Sequence, residues 1–123
     1  MPATTTALLS LQQALDAPHD STASLGQWRW AVRQRMAVVR DALVDETDHP
    51  VDGWLAARGG AAIRERNALL ERLTALGTPV LESADVDRVR SDMKRLLTDI
   101  SHHFQRLHDL AYDEVELELG GSE

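Results

Sequence analysis

The sequence predicts an all-α protein, an antiparallel four-helix bundle with a short N-terminal helix and a long C-terminal helix. Residues 85–118 contain neither proline nor glycine, and their apolar residues recur mostly in steps of three and four, as on one face of an amphipathic helix. Segments 25–46 and 61–76 show the same pattern, and 4–16 shows a shorter one. At 1.5 Å per residue the last helix would be about 45 Å long, so we expect the others to pack along it.

Composition narrows the class of protein. A chain of 123 residues with 43 % hydrophobic residues is enough for one domain with its own core. The net charge of −7 argues against nucleic acid or an anionic membrane as the main partner, because phosphate binding needs clustered Lys and Arg. With no cysteine, no basic N-terminal segment and no apolar run near the ~18 residues that span a bilayer, the chain is expected to be cytoplasmic. Its Ala- and Arg-rich composition favours a bacterial source.

Local signals place the ends of the helices. Thr22 or Ser24 is the expected N-cap of the second helix, and Ser83 or Asp85 that of the last. The third helix should end at Gly77, a favourable C′ residue, with a proline at position 79 that prevents continuation. Between the second and third helices, 47–60 breaks the pattern and holds at most one short turn.

The spacing assigns an inward face to each long helix. The expected core residues are Leu25, Trp28, Val32, Met36, Val39 and Leu43 in the second helix, Ala62, Leu69, Leu73 and Leu76 in the third, and Val86, Val89, Met93, Leu96, Ile100, Leu107 and Leu110 in the last. Arg66 and His103 fall within these faces, and Arg35 lies at the edge of one. These polar residues are therefore expected to be buried or nearly so.

Trp30 lies outside the apolar face of the second helix. It follows Trp28 by two residues, which at about 100° per residue places it about 200° round the helix. We expect it either to be a partly covered surface residue or to contact another chain or the first helix.

The tail changes its period. In segment 114–119, Val115, Leu117 and Leu119 alternate with glutamates, and a period of two predicts an extended segment. Such a segment could add to a partner's sheet or groove, so these three residues are candidate partner contacts. The alternative is a helix that frays near its end, within a possible extended tail over 114–123.

Five histidines are the candidate metal ligands. His19 and His49 lie beside prolines in predicted loops, where we expect solvated side chains. His102 should be exposed and His108 should flank the apolar face. His103 should face inward, either as a hydrogen-bonded core residue or as a ligand.

The C-terminal run HHFQRLHDLAYDEVELELGG contains His103, Gln105-Arg106, Asp109-Leu110, Tyr112 and Gly120-Gly121. With these elements the run resembles the C-terminal end of bacterial hemerythrin-like (HHE-type) four-helix proteins. The helix led by Trp28 and the segment RERNALLERL fit the same pattern. The resemblance implies a four-helix bundle with a non-haem di-iron centre and oxygen or redox chemistry.

Most of the ligands that the resemblance implies are missing. The family pattern combines HxxxE, HxxxH and HxxxxD, and this chain retains only the last, as His108 and Asp113. Where the family often has Arg-Glu-His, this chain has Arg64-Glu65-Arg66, and a guanidinium cannot ligate iron. The sequence therefore predicts a hemerythrin-like fold that has lost its di-iron site.

Arginine could supply the positive charge that the metal no longer provides. Arg35 and Arg66 would then pair with acids such as Asp99 or Asp109, because the forked guanidinium binds a carboxylate in two places. The alternative is that both arginines extend to the surface from the flanks of their helices.

Two functions are consistent with these observations. The first is a non-catalytic interaction protein with no metal or cofactor, whose partner is either another protein or a second copy of itself. The second is a degenerate metal-binding protein that uses non-haem iron for oxygen or redox chemistry, with His103, His108 and Asp113 as ligands together with acids from other helices. A small-molecule pocket inside the bundle is a third alternative, for which no residue names a ligand.

Overall fold

In a computed structural model of the chain, the backbone is described for residues 3–45 and 60–121, and the side chains for 4–45 and 60–109. Over these ranges the chain forms four helices: α1 (Ala3–Leu15), α2 (Thr22–Asp45), α3 (Gly60–Glu82) and α4 (Val86–Gly121). None of the described residues lies in a strand, so the predicted all-α class is confirmed. The short turn expected within 47–60, including His49, lies outside the described residues.

Each helix packs against two others, and the four form a ring in chain order. The end of α1 meets the start of α2 and of α4, because the Leu15 carbonyl accepts hydrogen bonds from Trp28 Nε1 at 3.1 Å and from Arg90 Nε at 3.0 Å. The start of α2 meets the end of α3, where Arg29 Nη1 donates to the Val80 carbonyl at 3.0 Å. Neighbouring helices are therefore antiparallel, and the predicted four-helix bundle is confirmed.

The core lies inside this ring and consists almost entirely of aliphatic side chains. Its buried members are Ala7, Leu11, Ala14, Leu15, Trp28, Val32, Met36, Val39, Leu43, Leu69, Leu73, Val80, Val89, Met93, Leu96, Leu97 and Ile100. Every predicted core residue of the second helix from Trp28 to Leu43 is among them. The others expected to face inward are half-buried at the margin of the core, namely Leu25, Ala62, Leu76, Val86 and Leu107. The side chain of Leu110 lies outside the described residues.

Side-chain hydroxyls and a carboxylate cap two of the helices. Ser21 precedes α2, and its Oγ accepts from the Ser24 amide at 3.1 Å while the Ser21 amide donates to Ser24 Oγ at 3.0 Å. This reciprocal arrangement resembles a capping box, so the N-cap is Ser21 and not the predicted Thr22 or Ser24. At α4 the Arg88 amide donates to Asp85 Oδ1 at 3.2 Å, which confirms Asp85 as the cap.

Helix α3 does not end at Gly77, and the expected stop there is wrong. The helix continues through Pro79 to Glu82, and no described glycine has a positive φ, so Gly77 is an ordinary helical residue. It is buried against the side chain of Arg33 on α2. Pro79 lies in the last turn of the helix, where its fixed φ fits helical geometry and its missing N–H removes a single backbone hydrogen bond.

Burial and one arginine hold the extra turn of α3 in place. Val80 is fully buried in the core, which favours the extension by about 1.5–3 kcal/mol for an apolar side chain of this size. Arg29 donates through Nη1 to the Val80 carbonyl at 3.0 Å and through Nη2 to the Ser83 carbonyl at 2.8 Å. These carbonyls have no partner within the helix, so tertiary contacts replace the stop signal that the sequence contains.

Two cations join α4 to the C-terminal end of α1. Lys94 Nζ lies 2.6 Å and Arg90 Nη2 lies 3.0 Å from Asp16 Oδ1. The hydrogen bonds from Lys94, Gln12 and Arg90 hold the pKa of Asp16 well below its ordinary value. The positive charges at this end also favour the negative end of the α1 dipole.

The tail is helical, so the extended segment predicted for residues 115–119 is wrong. Helix α4 continues without interruption to Gly121. Leucine and glutamate are strong helix formers, and no glycine or proline occurs between Val86 and Gly120, so helix propensity outweighs the period-two pattern. The side chains of Val115, Leu117 and Leu119 lie outside the described residues. No helix within the described part of the chain is long and apolar enough to cross a membrane.

Candidate functional site

An ion-pair cluster lies between the first turns of α3 and the middle of α4. His103 is 1 % exposed, and its Nδ1 is 2.7 Å from Glu65 Oε1. Arg106 lies three residues after His103 on the same face of α4 and donates to both oxygens of Glu65, through Nη2 at 2.6 Å and Nε at 3.2 Å. Glu65 is therefore held by two side chains of the neighbouring helix.

The charges in this cluster determine its protonation. Burial by itself raises the pKa of Glu65, but the hydrogen bonds from Arg106 and His103 outweigh it and hold that pKa below its ordinary value. Glu65 is thus ionised at neutral pH and only accepts hydrogen bonds. It follows that Nδ1 of His103 carries a proton and donates it to the carboxylate.

His103 faces the interior as predicted, but its partners are not those that the sequence suggested. Glu65 and Arg106 were not predicted as site residues, although both lie in stretches noted for other reasons. The signal that could have identified Arg106 is its spacing of three from His103, which places both on one helix face. Glu65 could be identified only from the register of α3 against α4, which sequence periodicity does not supply.

The predicted pairing of Arg35 and Arg66 with Asp99 or Asp109 is wrong. Arg35 on α2 faces α1, where Nε donates to Ser10 Oγ at 3.0 Å and Nη1 to the Ala31 carbonyl at 3.3 Å. Both acids lie on α4, diagonally across the ring from α2. Asp99 instead binds Arg72 of α3 at 2.7 Å. Asp109, expected to be a buried polar residue, is exposed and accepts from Gln105 at 3.0 Å.

Arg66 is half-buried, in keeping with its place within the apolar face of α3. Its Nη2 donates to Asn67 Oδ1 at 3.1 Å, and its buried Nε has no hydrogen-bond partner among the described residues. No described acid pairs with it. Arg66 therefore follows Glu65 in the sequence but is not paired with either of the carboxylates that were expected to neutralise it.

Of the ligand set His103, His108 and Asp113, the two histidines do not point to a common position. His103 is buried against Glu65, whereas His108 is exposed, and five residues on a helix turn these two side chains about 140° apart. The Asp113 side chain lies outside the described residues. In ranges 4–45 and 60–109, no three His, Asp or Glu side chains are placed to hold a metal ion, so the described donors do not fit the di-iron centre that the resemblance implies.

The other predicted surface residues differ in their outcome. His102 and Trp30 are exposed as expected, Trp30 by 65 %. His19 is not fully solvated, because its ring packs edge-on against Trp28 with 5.5 Å between centroids, and its Nε2 is 3.9 Å from Asp87 Oδ1.

No protein-family model, curated protein or solved structure matches this chain.

Proposed function

We propose that this chain is a non-catalytic interaction protein, a hemerythrin-like bundle without a metal centre, and that its partner is another protein chain. The observation that carries the proposal is the cluster of Glu65, His103 and Arg106. A metal or catalytic centre in a bundle needs carboxylate and imidazole lone pairs that point to a shared open position. Both oxygens of Glu65 already accept hydrogen bonds from cationic or N–H donors.

Charge supports the same conclusion. Arg106 keeps its positive charge at any physiological pH, and it lies 2.6 Å from the carboxylate that a metal would need. A divalent cation would have to displace this guanidinium from the Glu65 carboxylate. Because the displaced guanidinium would stay nearby, the two positive charges would repel each other. The guanidinium of Arg106 therefore supplies the positive charge that a metal ion supplies in a metal-binding bundle. It balances the Glu65 carboxylate between α3 and α4 without a metal.

The outer face of α2 supports a role in protein binding. Trp30 is 65 % exposed. Burying its apolar surface against a partner would contribute a free energy of about 25 cal/mol per Å². Tryptophan and arginine are enriched at the energetic centres of protein interfaces. Arg33, one helical turn further along α2, is also exposed, although its guanidinium lies over Gly77 of α3.

Metal analysis tests the non-catalytic part of the proposal. The full chain is produced with iron in the medium, and its iron content and optical spectrum are measured. We expect less than about 0.2 iron per chain, the level of adventitious binding when ligands are missing, and no charge-transfer band. Stoichiometric iron with such a band would contradict the proposal and support the alternative, a degenerate di-iron protein that uses His103, His108 and Asp113.

A matched pair of substitutions tests the binding part. The wild-type chain, Trp30→Ala and Val38→Ala are used to capture proteins from the native cells, Val38 being 53 % exposed on the same helix. We expect one stoichiometric partner that is lost with Trp30→Ala and kept with Val38→Ala. Equal capture by both variants would remove Trp30 from the interface. A chain that is monomeric and captures nothing would contradict the proposed function.

A further inference from the structure

Helix α1 carries no charged residue. Its sequence, ATTTALLSLQQAL, has no Asp, Glu, Lys or Arg, although charged residues make up 27 % of the chain and a segment of 13 would carry about three or four. The helix is not buried on all sides, since Thr5, Thr6, Leu9 and Gln13 are exposed. A surface helix normally carries charge on its outer face, so the outer face of α1 is unusual for this protein.

A groove lies beside this helix, between α1 and α4. Its volume is about 630 Å³, and its lining includes Leu8 and Leu9 of α1 and Leu97, Phe104 and His108 of α4. Among the described side chains, no Asp, Glu, Lys or Arg lines it. The interface between α1 and α4 is the smallest of the four in the ring, which leaves room for the groove. Leu9, half-exposed at 50 %, stands at its rim.

We propose that this groove binds α1 of a second copy of the chain, so that two copies form a symmetric dimer through their uncharged faces, an interface separate from the one proposed around Trp30. In such a dimer the same surface serves both copies. Leu9 of each copy inserts beside Phe104 of the other, and the two α1 helices lie side by side.

Charge selects the second copy as the occupant. Two chains of net charge −7 repel each other at most orientations, and the repulsion is smallest where neither surface carries charge. A charged partner helix would lose hydration in this groove and find no opposite charge to pair with. Of the four described helices, α1 is the one without charged residues, so it matches the groove better than any other.

The charged residues at one end of the groove are neutralised within one copy, and at the other end the Asp109 carboxylate accepts a hydrogen bond from Gln105 Nε2, in the lining, at 3.0 Å. Asp16, at the C-terminal end of α1, already binds Arg90 and Lys94 of its own chain. These groups lie beyond Gln12, at one end of the groove lining. They form a polar rim that needs no partner from the second copy, as is usual around the apolar centre of an interface.

The test measures the mass of the full chain in solution by analytical ultracentrifugation over a range of concentrations. We expect the wild type to be a dimer at about 100 µM. Leu9→Glu places a charge at the centre of the contact and should raise the dissociation constant at least about 100-fold. The matched control is Leu81→Glu, a leucine of similar exposure (45 %) on α3, which should leave the dimer unchanged.

A second variant guards against loss of folding. Thr5→Glu introduces a charge into the groove lining within the first turns of α1, where a carboxylate favours the helix. It should dissociate the dimer while the melting temperature of the monomer stays the same or rises. Because the contact is uncharged, raising the salt concentration should not weaken the dimer, whereas an interface of opposite charges would weaken.

Several results would overturn this inference. A wild-type chain that remains monomeric at about 100 µM would exclude the dimer, and the capture experiment with Trp30→Ala would still decide the proposed function. Dissociation by Leu81→Glu as well as by Leu9→Glu, or by neither, would place the contact elsewhere. Retention of the dimer by a folded Thr5→Glu variant would exclude the groove.

Discussion

Glu65 is the residue on which the polar interior depends. Its carboxylate balances Arg106 and orients the imidazole of His103, which is 1 % exposed. If the carboxylate is removed, a buried histidine and a guanidinium lose their common acceptor, and an unmet buried polar group is costly. The position therefore tolerates substitution less well than its partial exposure of 34 % suggests.

The first prediction is that Glu65→Gln destabilises the bundle. Charged hydrogen bonds contribute about 1.5–3 kcal/mol when buried, and partial exposure reduces this to about 1–2 kcal/mol. We expect the melting temperature at pH 7 to fall by about 3–8 °C. Glu71→Gln, an exposed position on the same helix, is the control and should change it by less than about 2 °C.

The same pair of chains has a defined pH dependence. The folded-state pKa of Glu65 is depressed, so its ionised form stabilises the fold above the ordinary glutamate pKa of about 4.3. That stabilisation is lost as the pH falls below this value and through the lower folded-state pKa. The difference in stability between wild type and Glu65→Gln should therefore shrink between about pH 5 and pH 3. A difference that is constant with pH would show that packing, and not charge, is what Glu65 supplies.

Sequence periodicity predicted which polar residues face inward but not how they pair. His103 and Arg66 fall within apolar faces, and both are at least half-buried. Their partners depend on the register between helices and on which helices are neighbours in the ring, which periodicity within one helix does not encode. For that reason Asp99 and Asp109 were assigned to arginines that they do not contact.

At the scale of a single helix, α3 shows how tertiary contacts override local signals. A glycine followed two residues later by a proline is typical of a helix end, yet α3 includes both. The gain from burying Val80, together with the hydrogen bonds from Arg29, is larger than the cost of one missing backbone hydrogen bond in the last turn. The other helix boundaries follow local signals to within about a turn, because no comparable contact opposes them.

The second prediction concerns Gly77. If it had ended the helix in a left-handed conformation, alanine would destabilise the protein by about 1 kcal/mol. Because Gly77 is helical and a Cβ would lie 3.7 Å from Arg33 Nε, an ordinary contact, Gly77→Ala should stabilise by about 0.5–1 kcal/mol. Gly26→Ala in α2 has no atom within 4 Å of the new Cβ and should give the same gain. Chemical denaturation measures both, and a loss at Gly77 alone would mean that Arg33 cannot adjust.

At the scale of the molecule, α4 extends past the described part of α1. The first turn of α1, with Thr4 and Thr5, lies opposite Gln105 and His108, whereas α4 continues to Gly121. About 13 residues, or roughly 20 Å of helix, therefore follow the last residue of α4 that lines the groove against α1. This length was predictable from the absence of proline and glycine, but its helical state was not, because the pattern of alternating glutamates is equally typical of a strand.

The third prediction concerns this extension. Deletion of residues 114–123 should leave the melting temperature within about 2 °C of the wild type, because every core residue in the described part of the chain lies before Leu107. The far-ultraviolet helical signal should fall in proportion to the residues removed. If the extension binds the partner, capture of that partner should be lost while the fold is kept. A large drop in melting temperature would show that the extension stabilises the chain's own bundle.

The small interface between α1 and α4 also affects the order in which the bundle folds and the rate at which it unfolds. Contacts between α1 and α2 join residues as close as 13 apart, such as Leu15 and Trp28, and bundles rich in local contacts fold within microseconds to milliseconds. Contacts that close the ring join residues 75 apart, such as Leu15 and Arg90, and bringing these together costs about 1.5 kcal/mol more in chain entropy. This seam is therefore the last to form and the first to open. Arg90 and Lys94 act mainly on the unfolding rate, so they set how long the ring stays closed and have little effect on how fast the chain folds.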